Sequence, residues 1–160
     1  MPDKETLDTI KRLQTSPPVN IVGIAKYLGL GVWEDAELPP GIAGKLFRDV
    51  KNGGNIGYSI VVRAQDPWVR KRFTVAHELA HYILHRNMFR DVLVDDALYR
   101  SGLSSQIEAQ ANGLAADLLM PWQLLAKISD LPVAELAARF QVSEEAMRIR
   151  LRRPLTIGVS

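Results

Sequence analysis

The chain has 160 residues, 47% hydrophobic and 24% charged, with a net charge of +2. This is the size and composition of one globular domain that buries its own core without disulfide staples. Cysteine is absent, which excludes a disulfide scaffold, a thiol nucleophile, an iron–sulfur site and cysteine-ligated zinc.

No internal repeat or low-complexity tract interrupts the chain. Its opening, MPDKETLDTIKRLQ, mixes charged and apolar residues and lacks the apolar core of a signal peptide. Residues 4–13 read as a short amphipathic helix, ended by Ser16-Pro17-Pro18. The longest stretch free of Asp, Glu, Lys and Arg, residues 13–25, is too short to cross a bilayer. The expectation is a cytoplasmic protein with no membrane association. Asn20 is placed to cap a second helix over residues 21–28, with Gly29 or Gly31 as its stop.

After the Leu38-Pro39-Pro40-Gly41 loop, residues 42–50 and 55–63 read as strands. Lys51-Asn52-Gly53-Gly54 between them predicts a hairpin, because Gly and Asn accept positive φ. Residues 31–36 supply a possible third strand. Asp66-Pro67 opens a long helix to about residue 87, with Asp66 as N-cap. Residues 88–104 read as irregular. Ser105 opens a helix ending at Met120, because Pro121 starts another. Two more helices follow at 132–140 and 144–151, split by Gln141-Val142-Ser143. Helices, a short antiparallel sheet, then helices only: this order predicts an α+β fold.

The long helix carries the chemistry. Residues 77–81 read His-Glu-Leu-Ala-His, and the three histidines, His77, His81 and His85, recur every four residues. At 3.6 residues per turn, His77 and His81 share one face and can present two imidazoles to one cation. Glu78 lies about 100° around the helix, poorly placed to ligate but close enough to act as a base beside the ion. From Phe73 to His85 the only formal charge is Glu78, so the helix is apolar nearly all round and should be buried. Buried polar groups need partners or a metal. A core histidine network is the plainer alternative.

His85 lies about 12 Å along the axis from His77. It cannot converge on the same ion and is read as a supporting or packing residue. With no cysteine, the third ligand should be a carboxylate. In the 105–120 helix, Ile107, Ala111, Leu114 and Leu118 form the core stripe. Glu108 and Asn112 fall beside it, while Gln110 and Asp117 point away. Glu108 is therefore the candidate, unless it completes a capping box with Ser105. In that case Asp91, Asp95 or Asp96 would serve.

The segment Arg72-Phe73-Thr74-Val75-Ala76-His77-Glu78-Leu79-Ala80-His81, then Leu84-His85, then Glu108-x-x-Ala111-Asn112-x-x-Ala115-x-x-Leu118-Leu119-Met120-Pro121 resembles the ImmA/IrrE family of bacterial and phage zinc metallopeptidases. The resemblance spans roughly residues 20–152, including Leu136-Ala137-x-x-Phe140-x-Val142-Ser143-x-x-Ala146. It implies a small zincin-like core over residues 1–130, with a short antiparallel sheet packed on the HExxH helix. It also implies helix-turn-helix-like C-terminal helices over 131–160, packed on that core. Carried over position by position, it makes His77, His81 and Glu108 the Zn2+ ligands and Glu78 the catalytic base. Many relatives carry Glu where this chain has Gln110, which leaves Glu108 as the one acidic candidate in the block. Some members cleave or antagonise a helix-turn-helix repressor controlling phage, mobile-element or stress genes. The implied function is thus a zinc-dependent endopeptidase acting on such a repressor.

The oxyanion of peptide hydrolysis would need a donor. Tyr58, Tyr82, Tyr99 and Arg72 are candidates, and the sequence does not choose among them. The 55–63 strand is expected to present an edge to an extended substrate. The competing function is a non-catalytic, metal-containing regulator that binds DNA or protein. Against DNA, the second tail helix opens on Glu144-Glu145, where base contacts would be made. Its arginines come later, and they and the Arg70-Lys71-Arg72 cluster are too sparse to mark a nucleic-acid protein. Nucleic acid is not the expected ligand. A mixed Arg/Glu surface on the tail suits docking of a protein.

Overall fold

The computed structural model describes residues 2–88, 92–94 and 104–152. In chain order these form α1 (Lys4–Leu13), α2 (Ile21–Tyr27), β1 (Gly31–Asp35), β2 (Gly44–Arg48), β3 (Tyr58–Arg63), α3 (Trp68–His85) and β4 (Val92–Val94). Then come α4 (Ser104–Leu119), α5 (Trp122–Leu125), α6 (Val133–Phe140) and α7 (Glu144–Leu151). The α+β class expected from the order of elements is what the chain adopts.

The helix caps follow the sequence. Asn20 Oδ1 accepts from the Gly23 amide at 2.9 Å, and Gly29 ends the α2 segment at φ 100°. Ser143 Oγ accepts from the Ala146 amide at 3.0 Å. Pro67, not Asp66, is the N-cap of α3. Asp66 instead pairs with Arg63 and Arg70 at 3.8 and 3.5 Å. Helix α4 begins at Ser104, one residue before the expected Ser105.

The sheet differs from expectation in three ways. Its order is β1-β3-β2-β4, and β1 runs parallel to β3, so it is mixed rather than purely antiparallel. β3 takes the centre because Ser59, Ile60, Val61 and Val62 are all buried, a run that tolerates cover on both faces. It pairs with β1 on one side and β2 on the other, so it presents no edge to a substrate. Third, β4 pairs antiparallel with β2 within the stretch read as irregular. The β2–β3 connection is longer than the turn read from Lys51-Asn52-Gly53-Gly54. It includes a 3-10 turn over Gly54–Ile56, with Gly54 and Gly57 at φ 66° and 74°.

Helix α3 crosses the sheet and packs beside α4. Val75, Leu79 and Ile83 join Leu46, Ile60 and Val62 in one core that also takes Ile107, Ala115, Leu118 and Leu119. The tail belongs to this same core: Leu136, Phe140 and Met147 are 0% exposed. Two arginines fasten it. Arg72 of α3 donates to Val19 O (2.8 Å), Phe140 O (3.2 Å) and Gln141 O (3.2 Å). Arg150 of α7 donates to Met120 O (3.0 Å) and Asp117 Oδ1 (2.7 Å), and stacks on Trp122. Gln14, buried after α1, donates to Asp117 O and Leu118 O, carbonyls that the end of α4 leaves without helical partners. Among the described residues no helix is long and apolar enough to cross a membrane.

Candidate metal centre

Four-residue spacing stacks three imidazoles along α3, and each is buried: His77 7%, His81 0% and His85 3% exposed. Helix α4 lies alongside and turns Glu108 toward them. Glu108 Oε1 is 3.0 Å from His81 Nε2, and Oε2 is 3.1 Å from His77 Nε2. The two Nε2 atoms are 3.1 Å apart. His77, His81 and Glu108 thus offer two nitrogens and a carboxylate within 4.8 Å of one another, a group that could hold a metal ion. Glu108 therefore does not turn back to cap its own helix.

His85 stands outside this group, as its distance along the helix requires. Its Nδ1 is 3.0 Å from His81 Nδ1, on the side of that ring away from Glu108, and its Nε2 is 2.8 Å from Gln110 Oε1. Gln110 was expected to point away. Its backbone does lie off the core stripe, but the long side chain reaches His85. On the other flank His77 Nδ1 donates to Asn112 Oδ1 at 2.9 Å. Every ring nitrogen turned away from the cluster therefore has a partner.

Burial pushes the His81 imidazole down, reinforced by the like charges His77 and His85 would carry, so it is neutral at pH 7. Burial also works against an ionised Glu108, but the adjoining His77 and His81 imidazoles outweigh it and hold that carboxyl at about 2. A neutral imidazole and an ionised carboxylate are the forms a cation needs.

Glu78, 1% exposed, faces the sheet from the same turn as His77. Opposite it is Gly44 of β2, where a Cβ would stand 3.7 Å from Glu78 Cγ, 2.8 Å from Val61 O, and in collision with Thr74 Cγ2. Glycine here lets the strand close over Thr74 and Glu78.

A cleft of about 220 Å³ opens beside His77 and Glu108, lined also by Ala43, Arg70, Phe73, Thr74 and Asn112. Phe73 stacks with the His77 ring at 6.1 Å. Arg70 and Phe73 escaped the sequence reading, although positions seven and four before His77 share its helix face. Of the expected oxyanion donors, Tyr58, Tyr82 and Arg72 do not line this cleft. Arg72 is 4% exposed and committed to three carbonyls. Tyr82 packs edge-on against Tyr58 at 5.1 Å and lines a different cavity, with Asp3, Leu28 and Arg86. Tyr99, Asp91, Asp95 and Asp96 lie outside the described residues.

No curated protein matches the chain. Among solved structures, a Mycobacterium tuberculosis transcriptional regulator superposes with a TM-score of 0.60 at 15% identity, which shows a shared fold. The match covers 93% of this chain and 47% of the regulator, so the chain spans about half of that protein's length. A peptidase family model, described as the IrrE N-terminal-like domain, matches residues 36–152. That match takes in the histidine helix, Glu108 and both tail helices, and the chain belongs to this family of peptidases.

Proposed function

We propose that this protein is a cytoplasmic zinc-dependent endopeptidase with a helix-turn-helix transcriptional repressor as its substrate. One observation carries the reading: His77 Nε2, His81 Nε2 and the Glu108 carboxylate converge at 3.0–3.1 Å, with the buried Glu78 the next residue after His77 on α3. The donor set fits zinc. At zinc–ligand distances of about 2.0–2.1 Å, tetrahedral ligand atoms sit about 3.3 Å apart, within a few tenths of the spacing found here. His77, His81 and Glu108 would hold the ion. When bound, zinc supplies a Lewis acid that polarises a peptide carbonyl and acidifies water.

The chain's own groups do the rest. Asn112 fixes the His77 ring, and α4 holds Glu108 against both imidazoles. Glu78, as base, takes a proton from the attacking water on its carboxylate and delivers it to the leaving amine nitrogen. Arg70, Thr74 and Asn112 supply the polar wall of the cleft, and Phe73 its apolar wall. At about 220 Å³ this cleft is below the usual range for a pocket that binds a ligand by itself. Selectivity for one folded protein would then come from contacts elsewhere on the surface. The tail is suited to that: it carries the exposed pairs Glu135–Arg139 and Glu144–Arg148 and a half-exposed Ile149.

The test is Glu78→Gln, isosteric but without the base. It should keep zinc and fold while lowering cleavage of the repressor about a hundred- to ten-thousand-fold. Wild-type cleavage by that variant would refute the mechanism.

The solved neighbour is a transcriptional regulator, which raises a second reading: a non-catalytic regulator that binds DNA. The tail speaks against phosphate contacts. Arg150 is buried on Asp117, Arg148 pairs with Glu144, and Glu144 and Glu145 stand exposed at the start of α7.

A further inference from the structure

We propose that Gln110 and His85 form a one-way hydrogen-bond relay that sets the tautomer of His81, keeping its Nε2 unprotonated toward Glu108 and His77. The proposal deepens the metal-site reading above and rests on it.

A neutral imidazole has one N–H and one lone pair. An amide oxygen has only lone pairs. Gln110 Oε1 stands 2.8 Å from His85 Nε2, so that nitrogen carries the hydrogen. His85 Nδ1 is then the acceptor, and it meets His81 Nδ1 at 3.0 Å. His81 Nδ1 must be the donor, and its Nε2 keeps a lone pair. His81 and His85 are 0% and 3% exposed, so the direction is set at the exposed Gln110, whose amide oxygen faces His85. The contact between two Nδ1 atoms is informative in itself: two neutral rings can meet this way only if they are in opposite tautomers. On the other flank, Asn112 Oδ1 takes the hydrogen of His77 Nδ1 and leaves that ring's Nε2 a lone pair too.

The consequence falls on the centre of the cluster. With both tautomers set from outside, two nitrogen lone pairs and a carboxylate face one another at 3.0–3.1 Å. A cation fits that arrangement of donors. Gln110 and His85 are thus positioning residues: they touch neither substrate nor the cluster's centre and act through His81. Partners of this kind on ligand histidines are typically worth about 10- to 100-fold in metal affinity.

The experiment uses the full chain and three variants. Gln110→Glu keeps an acceptor at His85. Gln110→Lys presents only donors, which reverses the relay and places a hydrogen on His81 Nε2. His85→Phe keeps a ring but breaks the relay. Zinc affinity is read by chelator competition. The His81 tautomer is read in metal-free protein from imidazole 15N shifts, a signature that loss of packing alone would not invert. We expect the Nδ1–H tautomer at His81 in the wild type and in Gln110→Glu, with similar zinc affinity. Gln110→Lys should shift His81 to Nε2–H and lose about 10- to 100-fold in affinity. Gln110 is exposed, so its variants should fold even if His85→Phe does not. An Nε2–H tautomer in the wild type would overturn the relay, as would an unchanged tautomer in Gln110→Lys. Equal losses of affinity in Gln110→Glu and Gln110→Lys would overturn it as well. Failure of the wild type to bind zinc would refute the metal reading instead, with the tautomer measurement still deciding the relay.

Discussion

Arg72 makes the sharpest test of how the molecule is held together. Its guanidinium is 4% exposed and reaches three carbonyls from two distant segments, Val19 near α2 and Phe140 and Gln141 at the end of α6. Arg72→Met removes all three donors while keeping much of the apolar stem. Each buried carbonyl left unpaired costs about 1–3 kcal/mol, and the two bonds at 3.2 Å fall toward the lower end. Three such losses come to about 3–5 kcal/mol on that scale. Burial depresses the Arg72 pKa, a sign that the charge is itself held at a cost, and relief of that cost returns part of the loss. The expected net destabilisation is about 2–4 kcal/mol, a drop of roughly 5–15 °C in Tm for a chain of this size. Urea unfolding of metal-free protein measures it, with an unchanged m-value as the sign that only stability moved. Arg72→Lys should recover only part, because one ammonium cannot match a fork that spans three carbonyls. A loss below about 1 kcal/mol would refute the reasoning. Unchanged stability with cleavage abolished would restore Arg72 as a candidate oxyanion donor.

Glu108→Ala should remove one of the three proposed ligands and lose zinc by metal analysis after dialysis; unchanged affinity would move the ligand role to Asp91, Asp95 or Asp96. Gly44→Ala should force β2 away from Thr74 and Val61 and destabilise the fold by about 1–3 kcal/mol. Thermal unfolding reads that effect, and a neutral result would mean the strand shifts freely. Arg139→Glu combined with Arg148→Glu should leave zinc content unchanged and stability within about 1 kcal/mol, since both pairs are exposed. If the tail docks the repressor, the same double variant should cut repressor cleavage at least about tenfold, roughly 1.4 kcal/mol of docking. Casein should be a poor substrate for the wild type, and efficient casein digestion would point to a general peptidase.

What the sequence revealed followed from periodicity and local chemistry. Histidines at 77, 81 and 85 share a face because a helix repeats every 3.6 residues, and the apolar stripe of α4 pointed Glu108 inward for the same reason. Asn20, Gly29 and Ser143 marked helix ends through side-chain chemistry that acts within a few residues. The features that stayed hidden depend on partners far away in the chain. Nothing local told that β3 would insert between β1 and β2, since strand order is a contest among non-local pairings. Gln110 was misread because helix-face geometry places a Cβ, whereas three side-chain torsions carried the amide back to His85. Arg72 is one of four oxyanion candidates among which the sequence does not choose, and the carbonyls that claim it lie 53 or more residues away.

The packing of the tail changes how docking can be tested. Removing residues 131–160 would seem the direct way to separate recognition from chemistry. It would also strip Leu136, Phe140 and Met147 from the core, take away Arg150 and its bonds to Met120 O and Asp117, and leave Arg72 without Phe140 O and Gln141 O. Loss of activity in such a truncation would report unfolding, not recognition. The same integration bears on mechanism. Arg72 lies five residues before His77 on α3 and holds the end of α6, while α4 carries both Glu108 and the Asp117 that Arg150 grips. A repressor seated on α6 and α7 would therefore press on the two helices that bring the metal-ligand candidates together. Surface charge reversal can probe docking without disturbing those joints, which is why point variants on Arg139 and Arg148 separate the two effects and a truncation cannot.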